Sequence, residues 1–414
     1  MSTREHSISG AAEKRRDGNF TICHFTTAHT ELKSRSFHRE FIPLAQSGVG
    51  IRYLAPVKGN SHRDGIDIIA LKKYSTRLRR IFAQPALLRT LLQQRATLYH
   101  FQDPELLPLA FVLKLICRKR VVYDAYEDFP SMAANKAGLP GPLKPLAAKA
   151  IANMERLAIR LFDGVMTADP FTMRRLAKSR SPKIVFYNFP NLDFFPSCTA
   201  PRTKPFDLVY RGGLSQRAGT FVLIEALRLL ATRDRLTKLL LIGYFDNASA
   251  EKTIRQRIHA AGVAHLVEIR SRLDHEKMAE ALSEATIGIN PLQAVPKFML
   301  NIPVKVFEYW ACGLPVVSSD LPPIRPFFRN AEAGLLFPAQ SAQALAQSIT
   351  WLLDNPYAAA AMGARGRDLV VRRFNNLEEV RKLQRFFARV AEDPMKRTMP
   401  EPGEEVLSAC SNLL

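Results

Sequence analysis

Asn301-Ile302-Pro303-Val304-Lys305-Val306-Phe307-Glu308-Tyr309-Trp310-Ala311-Cys312-Gly313-Leu314-Pro315-Val316-Val317 reads as a helix that stops abruptly and hands over to a buried strand. Pro303 suits a first helical turn, and Lys305 and Glu308, three apart, share one face. Gly313 and Pro315 end the helix, and residues 314–317 enter an apolar run of the kind found inside parallel sheets. A helix N-terminus beside Lys305 is a natural anion site, because free backbone N–H groups and the positive dipole end point the same way. Glu308, one turn in, can accept two hydroxyls at once, which suits a ribose diol. A surface helix carrying a Lys–Glu pair satisfies the same spacing.

The 414 residues, 47% hydrophobic, are enough for two domains of about 150–200 residues each. No apolar run reaches the roughly 18 residues a membrane span needs. The longest candidate, 106–117, holds Pro108 and Lys114 and is followed by Arg118-Lys119-Arg120. Residues 1–18 are polar and charged, without the apolar centre of a secretory signal, and read as a disordered lead-in. The five cysteines (Cys23, Cys117, Cys198, Cys312, Cys410) are scattered and odd in number. That argues against a disulfide framework or zinc site and for a reducing cytoplasm.

Net charge is +21, from 59 Lys and Arg against 38 Asp and Glu, which implies an anionic partner. Between Asp67 and Asp103 no acid occurs, while Lys72, Lys73, Arg77, Arg79, Arg80, Arg89 and Arg95 alternate with apolar residues at helical spacing, broken at Pro85. A basic amphipathic helix of this kind binds an anionic membrane surface, or it is the solvated face of an ordinary helix. No nucleic-acid-binding module surrounds these residues.

Short apolar runs alternate with helical patterns from residue 20 to about 193, the signature of βαβ units. Strands are predicted at 21–25, 50–54, 97–100, 120–124, 164–168 and 183–187, and helices at 37–46, 106–117 and 145–162. A Pro-rich segment at 196–206 reads as a linker. The alternation restarts with a strand at 207–211, a turn at 212–215, a helix at 220–231 and strands at 239–243 and 285–289. The expected organisation is a lead-in (1–18), a first domain (19–195), the linker (196–206), a second domain (207–375), a closing helix (376–391) and a mobile tail (392–414). Two such units mean two doubly wound parallel sheets, with ligands at the strands' carboxyl ends in the cleft between them.

The order of residues in 301–317 resembles the donor-site helix of family 4 glycosyltransferases of the GT-B fold, which face two Rossmann-like domains across a cleft. Other segments are similar in the same order. Arg35-Ser36-Phe37-His38-Arg39-Glu40 resembles the family's first helix, and His100-Phe101-Gln102-Asp103-Pro104-Glu105 its His-x-x-Asp-Pro-Glu strand end. Tyr123-Asp124-Ala125-Tyr126-Glu127-Asp128-Phe129-Pro130 resembles a Tyr-Asp-x-His-Glu-Asp-x-Pro segment, and 210–219 the turn that opens the second domain.

The resemblance implies a retaining, metal-independent transferase with a nucleoside diphosphate sugar as co-substrate and no further cofactor. Glu308 would hold the ribose, while Lys305, Arg217 and the Gly212-Gly213 turn would hold the diphosphate. Tyr126 and His100 are then the catalytic candidates, and Asp124, Glu127 and Asp128 the acceptor-binding ones. His24 and His29 would face the cleft. Three positions depart from the pattern. Tyr126 stands where the family has an active-site His; with an ordinary pKa of about 10 it exchanges protons poorly at neutral pH. Leu300 replaces an acid eight residues before Glu308, and Ala218 replaces a base before Gly219, leaving Lys305, Arg217 and Arg211 as substitutes.

The acceptor would be a saccharide or lipid-linked oligosaccharide of surface-polysaccharide synthesis, and the enzyme would be cytoplasmic, peripheral on the cell membrane's inner face. A rival reading is a degenerate, non-catalytic relative that binds a nucleotide sugar or a partner enzyme. A third, an epimerase or phosphorylase of similar fold, lacks the catalytic acids or cofactor lysine those reactions need.

Overall fold

The computed structural model describes residues 20–28, 36–134, 141–176, 181–196, 204–329 and 331–392. His29, Arg35, Cys198, Cys410, the lead-in 1–18 and the tail past 392 lie outside the described residues.

The first sheet has eight strands: β1 (Thr21–Phe25), β2 (Gly50–Ala55), β3 (Ser61–Arg63), β4 (Ile66–Ala70), β5 (Leu98–Phe101), β6 (Arg120–Ala125), β7 (Gly164–Thr167) and β8 (Lys183–Val185). Their order is β3-β4-β2-β1-β5-β6-β7-β8, all parallel except the β3–β4 hairpin. The second sheet has six parallel strands: β9 (Phe206–Leu214), β10 (Leu239–Phe245), β11 (Val267–Ser271), β12 (Ala285–Asn290), β13 (Val316–Ser319) and β14 (Gly334–Phe337), in the order β11-β10-β9-β12-β13-β14. In each, strand order reverses beside the first strand, between β1 and β5 and between β9 and β12, so a crevice opens at the carboxyl ends there. The central strands are buried over most of their length, as runs such as Leu239-Leu240-Leu241-Ile242 require when helices cover both faces.

Several elements differ from the sequence reading. The β3–β4 hairpin was not anticipated, although Asp64 (φ 53°) and Gly65 (φ 78°) form the left-handed pair that closes a tight hairpin. Its outer strand is fully exposed and has no apolar face to announce it. The expected turn at 212–215 is a strand instead: β9 runs through Gly212 and Gly213 to Leu214, pairing with Gly243, Tyr244 and Phe245 of β10. A Cβ on Gly243 would sit 1.8 Å from the Gly212 carbonyl oxygen, so only glycine lets the ladder continue. The expected helix over 106–117 is three pieces: a tight turn at Pro104–Leu106, an α-helix at Leu107–Phe111 and a wider turn at Val112–Ile116. The basic stretch forms helices Arg77–Phe82 and Gln84–Gln93, with Pro85 in the second one's first turn.

The last helix, Asn376–Ala391, is capped by Asn375, whose side chain accepts the Glu378 N–H at 3.0 Å. Its apolar face (Leu383, Phe386, Phe387, Val390) packs into the first domain with Ile22, Phe41, Val122 and Met166. The chain thus crosses between domains twice, and the crossings touch. The Asn376 N–H donates to the Pro190 carbonyl at 2.9 Å, and the Tyr187 N–H to the Glu379 carboxylate at 2.8 Å. Among the described residues, no helix is long and apolar enough to cross a membrane.

Candidate functional site

The carboxyl end of β9 delivers Tyr210, Arg211, Gly212 and Gly213, and the helix Val304–Ala311 delivers Lys305, Glu308 and Tyr309. Tyr309 locks the two elements together. Its buried hydroxyl accepts the Arg211 N–H at 2.8 Å and lies 3.3 Å from the Ile289 carbonyl, to which it donates. Its ring fills the space over Gly288, where a Cβ would meet it at 2.5 Å. Pro303 precedes the helix and no side chain caps it, which leaves its positive end open to the β9 rim.

Within this frame Arg211 Nη1 lies 3.0 Å from the Glu308 carboxylate, a group only 1% exposed. Lys305 Nζ stands 4.2 Å from the centre of the Tyr210 ring. It occupies the volume a side chain at position 212 would take, since a Cβ there would be 2.9 Å from Nζ. Gly212 has φ +140°, and the Tyr210 hydroxyl donates to the Gly213 carbonyl at 2.8 Å. Burial, and then the Arg211 charge, push the Lys305 ammonium down to about 7, with Glu308 opposing only in part. Burial pushes the Tyr210 and Tyr309 hydroxyls up, so both remain hydrogen-bonding phenols at neutral pH. One carboxylate, two cations and a bare backbone edge therefore meet at a helix N-terminus, a set fitted to a diol joined to an anion.

Arg217 is engaged elsewhere. Its guanidinium is 59% exposed and pairs with Asp246 at 3.1 Å. Ala218 is buried in the second domain's core, and Gly219 (φ +85°) would place a Cβ 1.8 Å from the Pro291 carbonyl oxygen. A long basic side chain at 218 would start from inside an apolar cluster. Leu300 is half-buried in the loop before the helix.

In the first domain the candidates separate into layers. His100 and Asp124 are fully buried below the strand ends. His100 Nδ1 lies 2.8 Å from His24 Nδ1, and Asp124 accepts from the Gln102 amide at 2.8 Å. Glu40, His100 and Asp124, all buried, are the one acid and imidazole set among the described residues close enough to share an ion. Asp103 braces the loop after β1 by accepting from the Thr26 hydroxyl (2.8 Å) and the Thr27 N–H (3.0 Å). Tyr126, just past β6, is part-exposed, its ring edge-on to Phe129 with centroids 5.3 Å apart. Asp128 holds the next helix by accepting from Ser131, and faces Arg175 at 3.7 Å. Arg175 also pairs with buried Glu155, which accepts from the Tyr123 hydroxyl at 2.9 Å. The acidic trio is therefore not one cluster: Asp124 points inward, Asp128 serves a structural network, and Glu127 is part-exposed beside Tyr126.

Sequence reasoning gave Arg211 no specific partner, although an Arg directly before a Gly-Gly strand end was the available signal. It also gave Tyr210 and Tyr309 no role of their own.

Residues 205–355 match the sequence family described as Glycosyl transferases group 1. The chain is 29% identical over 189 residues to the amylovoran biosynthesis glycosyltransferase AmsK of Erwinia amylovora, covering 45% of this chain and 46% of that one. It is 29% identical over 175 residues to the phosphatidyl-myo-inositol mannosyltransferase of Mycobacterium leprae (strain TN), covering 42% of this chain and 44% of that one. It spans about half the length of the curated relatives it matches. Among solved structures, that of Anabaena Alr3699/HepE in complex with UDP superposes with a TM-score of 0.67 at 13% identity, over 89% of this chain and 99% of that one. The chain has the GT-B fold, and its second domain carries the match to Glycosyl transferases group 1.

Proposed function

We propose that the protein is a glycosyltransferase that moves one sugar from a nucleoside diphosphate sugar to an acceptor. The observation that carries this is the meeting of Arg211, Lys305 and Glu308 around Gly212 at the carboxyl end of β9. Glu308 accepts from the two ribose hydroxyls. Lys305, Arg211 and the Gly212–Gly213 backbone edge take the diphosphate, whose charge grows as the sugar departs. This set carries the leaving-group charge without a metal ligand set being assigned. The leaving phosphate takes the acceptor proton on the same face, so configuration is retained and no strong protein base is required. Tyr126, part-exposed at the end of β6, offers a phenol hydrogen bond to the transferred sugar.

The acceptor in this reading is a lipid-linked saccharide handled at an anionic membrane surface. The names of AmsK and of the phosphatidyl-myo-inositol mannosyltransferase support it, as does a basic rim on the first domain. There Lys72, Lys73, Tyr74, Ser75 and Arg79 line an open depression of about 520 Å³, and Leu78 and Phe82 are 68% and 80% exposed. Such a surface supports the reading of a protein docked peripherally on the membrane's cytoplasmic face.

Thermal stability against a panel of nucleoside diphosphate sugars, with Glu308→Ala in parallel, tests the donor site. A ligand at roughly a hundredfold its dissociation constant stabilises by about 2.7 kcal/mol. A shift for one donor that disappears in Glu308→Ala is expected. Tyr126 in the family's His position favours a second reading, a non-catalytic binder. That reading predicts the same shift but no turnover with any acceptor.

A further inference from the structure

Glu308 Oε2 is 3.0 Å from Arg211 Nη1, yet this buried oxygen receives no aligned hydrogen bond among the described residues. A buried carboxylate oxygen without an aligned donor is costly. The contact is therefore an ion pair with spare acceptor capacity rather than a closed two-pronged fork. Exposure is unequal across it: the Arg211 side chain is 25% exposed, while that of Glu308 is 1% exposed. Glu308 sits on a helix that Tyr309 pins to β9 and β12. Arg211 stands near the carboxyl end of β9 and is followed by two glycines, all three part-exposed. Lys305, lodged over the Tyr210 ring, is the other cation there.

We infer that Arg211 is an exchanging cation: it occupies Glu308 in the empty site, then yields that carboxylate to the ribose hydroxyls and passes to the incoming diphosphate. This rests on the donor-site reading above and deepens it, giving Arg211 two successive partners, Glu308 and then the diphosphate. Each partner lost is replaced, since the carboxylate trades a guanidinium for two hydroxyls and the planar guanidinium gains a two-pronged match to phosphate oxygens. A nucleoside without phosphates must break the ion pair with nothing offered in return. The pair thus discriminates against unphosphorylated nucleosides by leaving a charge unpaired.

Calorimetry with UDP and ligand-observed NMR with uridine, on wild type, Arg211→Gln and Arg211→Lys, test the exchange, with GDP and guanosine as the second probe pair. Arg211→Gln is expected to weaken the diphosphate by about tenfold or more while uridine binding is unchanged or tighter. Equal losses for both probes, or unchanged diphosphate affinity, would overturn the exchange and leave the donor site standing. Wild type that binds neither UDP nor GDP would overturn the donor-site reading and the exchange with it. If Arg211→Gln does not fold, Arg211→Lys decides: it keeps the charge but loses the fork, and must weaken the diphosphate more than the nucleoside.

Discussion

Nδ1 of His24 lies 2.8 Å from Nδ1 of His100, with both imidazoles fully buried. At that distance one ring donates and the other accepts, so a hydrogen bond joins the adjacent central strands β1 and β5. Phe387, from the helix that returns from the second domain, lies edge-on to His100 with centroids 5.8 Å apart. His100 therefore supports the docking of that helix in this conformation. Phe387→Ala is expected to cost about 3–5 kcal/mol, the range for deleting a buried ring. Urea unfolding reads this in the transition of the first domain; an unmoved midpoint would show that the helix does not hold it.

Gly212→Ala and Gly213→Ala should part company. At 212 a Cβ meets Lys305 Nζ at 2.9 Å on a backbone with φ +140°, whereas at 213 the nearest contact is the Tyr244 ring at 3.6 Å. Gly212→Ala is expected to lose about 1–2 kcal/mol of stability together with UDP affinity, because it evicts the ammonium. Gly213→Ala should retain both. Melting curves with and without UDP separate the two.

Lys305 is expected to make donor binding a proton-uptake reaction. Its ammonium, held down to about 7 in the empty site, is half deprotonated near neutrality. A bound diphosphate raises it again. Affinity should be full below pH 7 and fall as pH rises above it, by at most about tenfold per unit. Calorimetry in buffers of different ionisation heat counts the protons taken up. Lys305→Met should bind more weakly with a flat profile, and a persisting slope would assign the proton to another group.

Tyr126→Phe tests the phenol without disturbing packing, since the ring keeps its edge contact with Phe129. If the hydroxyl hydrogen-bonds the transferred sugar, kcat should fall by about tenfold or more while the melting temperature and donor KM hold. An unchanged kcat would reduce Tyr126 to a packing residue.

The basic rim near Lys72 and Arg79 predicts salt-sensitive binding to vesicles rich in anionic lipid. Release should begin as ionic strength passes about 0.15 M, and Phe82→Glu should weaken binding at low salt. Tight binding in molar salt would count against the electrostatic component.

Much of the architecture was legible because buried parallel strands must be apolar on both faces, which made runs such as 239–243 and 285–289 plain. What escaped depended on contacts distant in sequence. Gly212 and Gly213 have turn composition, and only Gly243 on the neighbouring strand makes them a ladder. Local spacing placed Lys305 and Glu308 on one helix face, but nothing local says that Arg211 fills Glu308. Likewise Asp124, Glu127 and Asp128 fall within five residues of the chain, yet one is buried on β6 and another faces Arg175.

The touching crossings near Pro190 and Asn376 limit how the molecule can work. Two tethers side by side are expected to act like the knuckles of a single hinge, favouring one rotation over sliding or twist. Alignment between the two halves then reduces to one angle, which spectroscopic labels on either domain could follow directly.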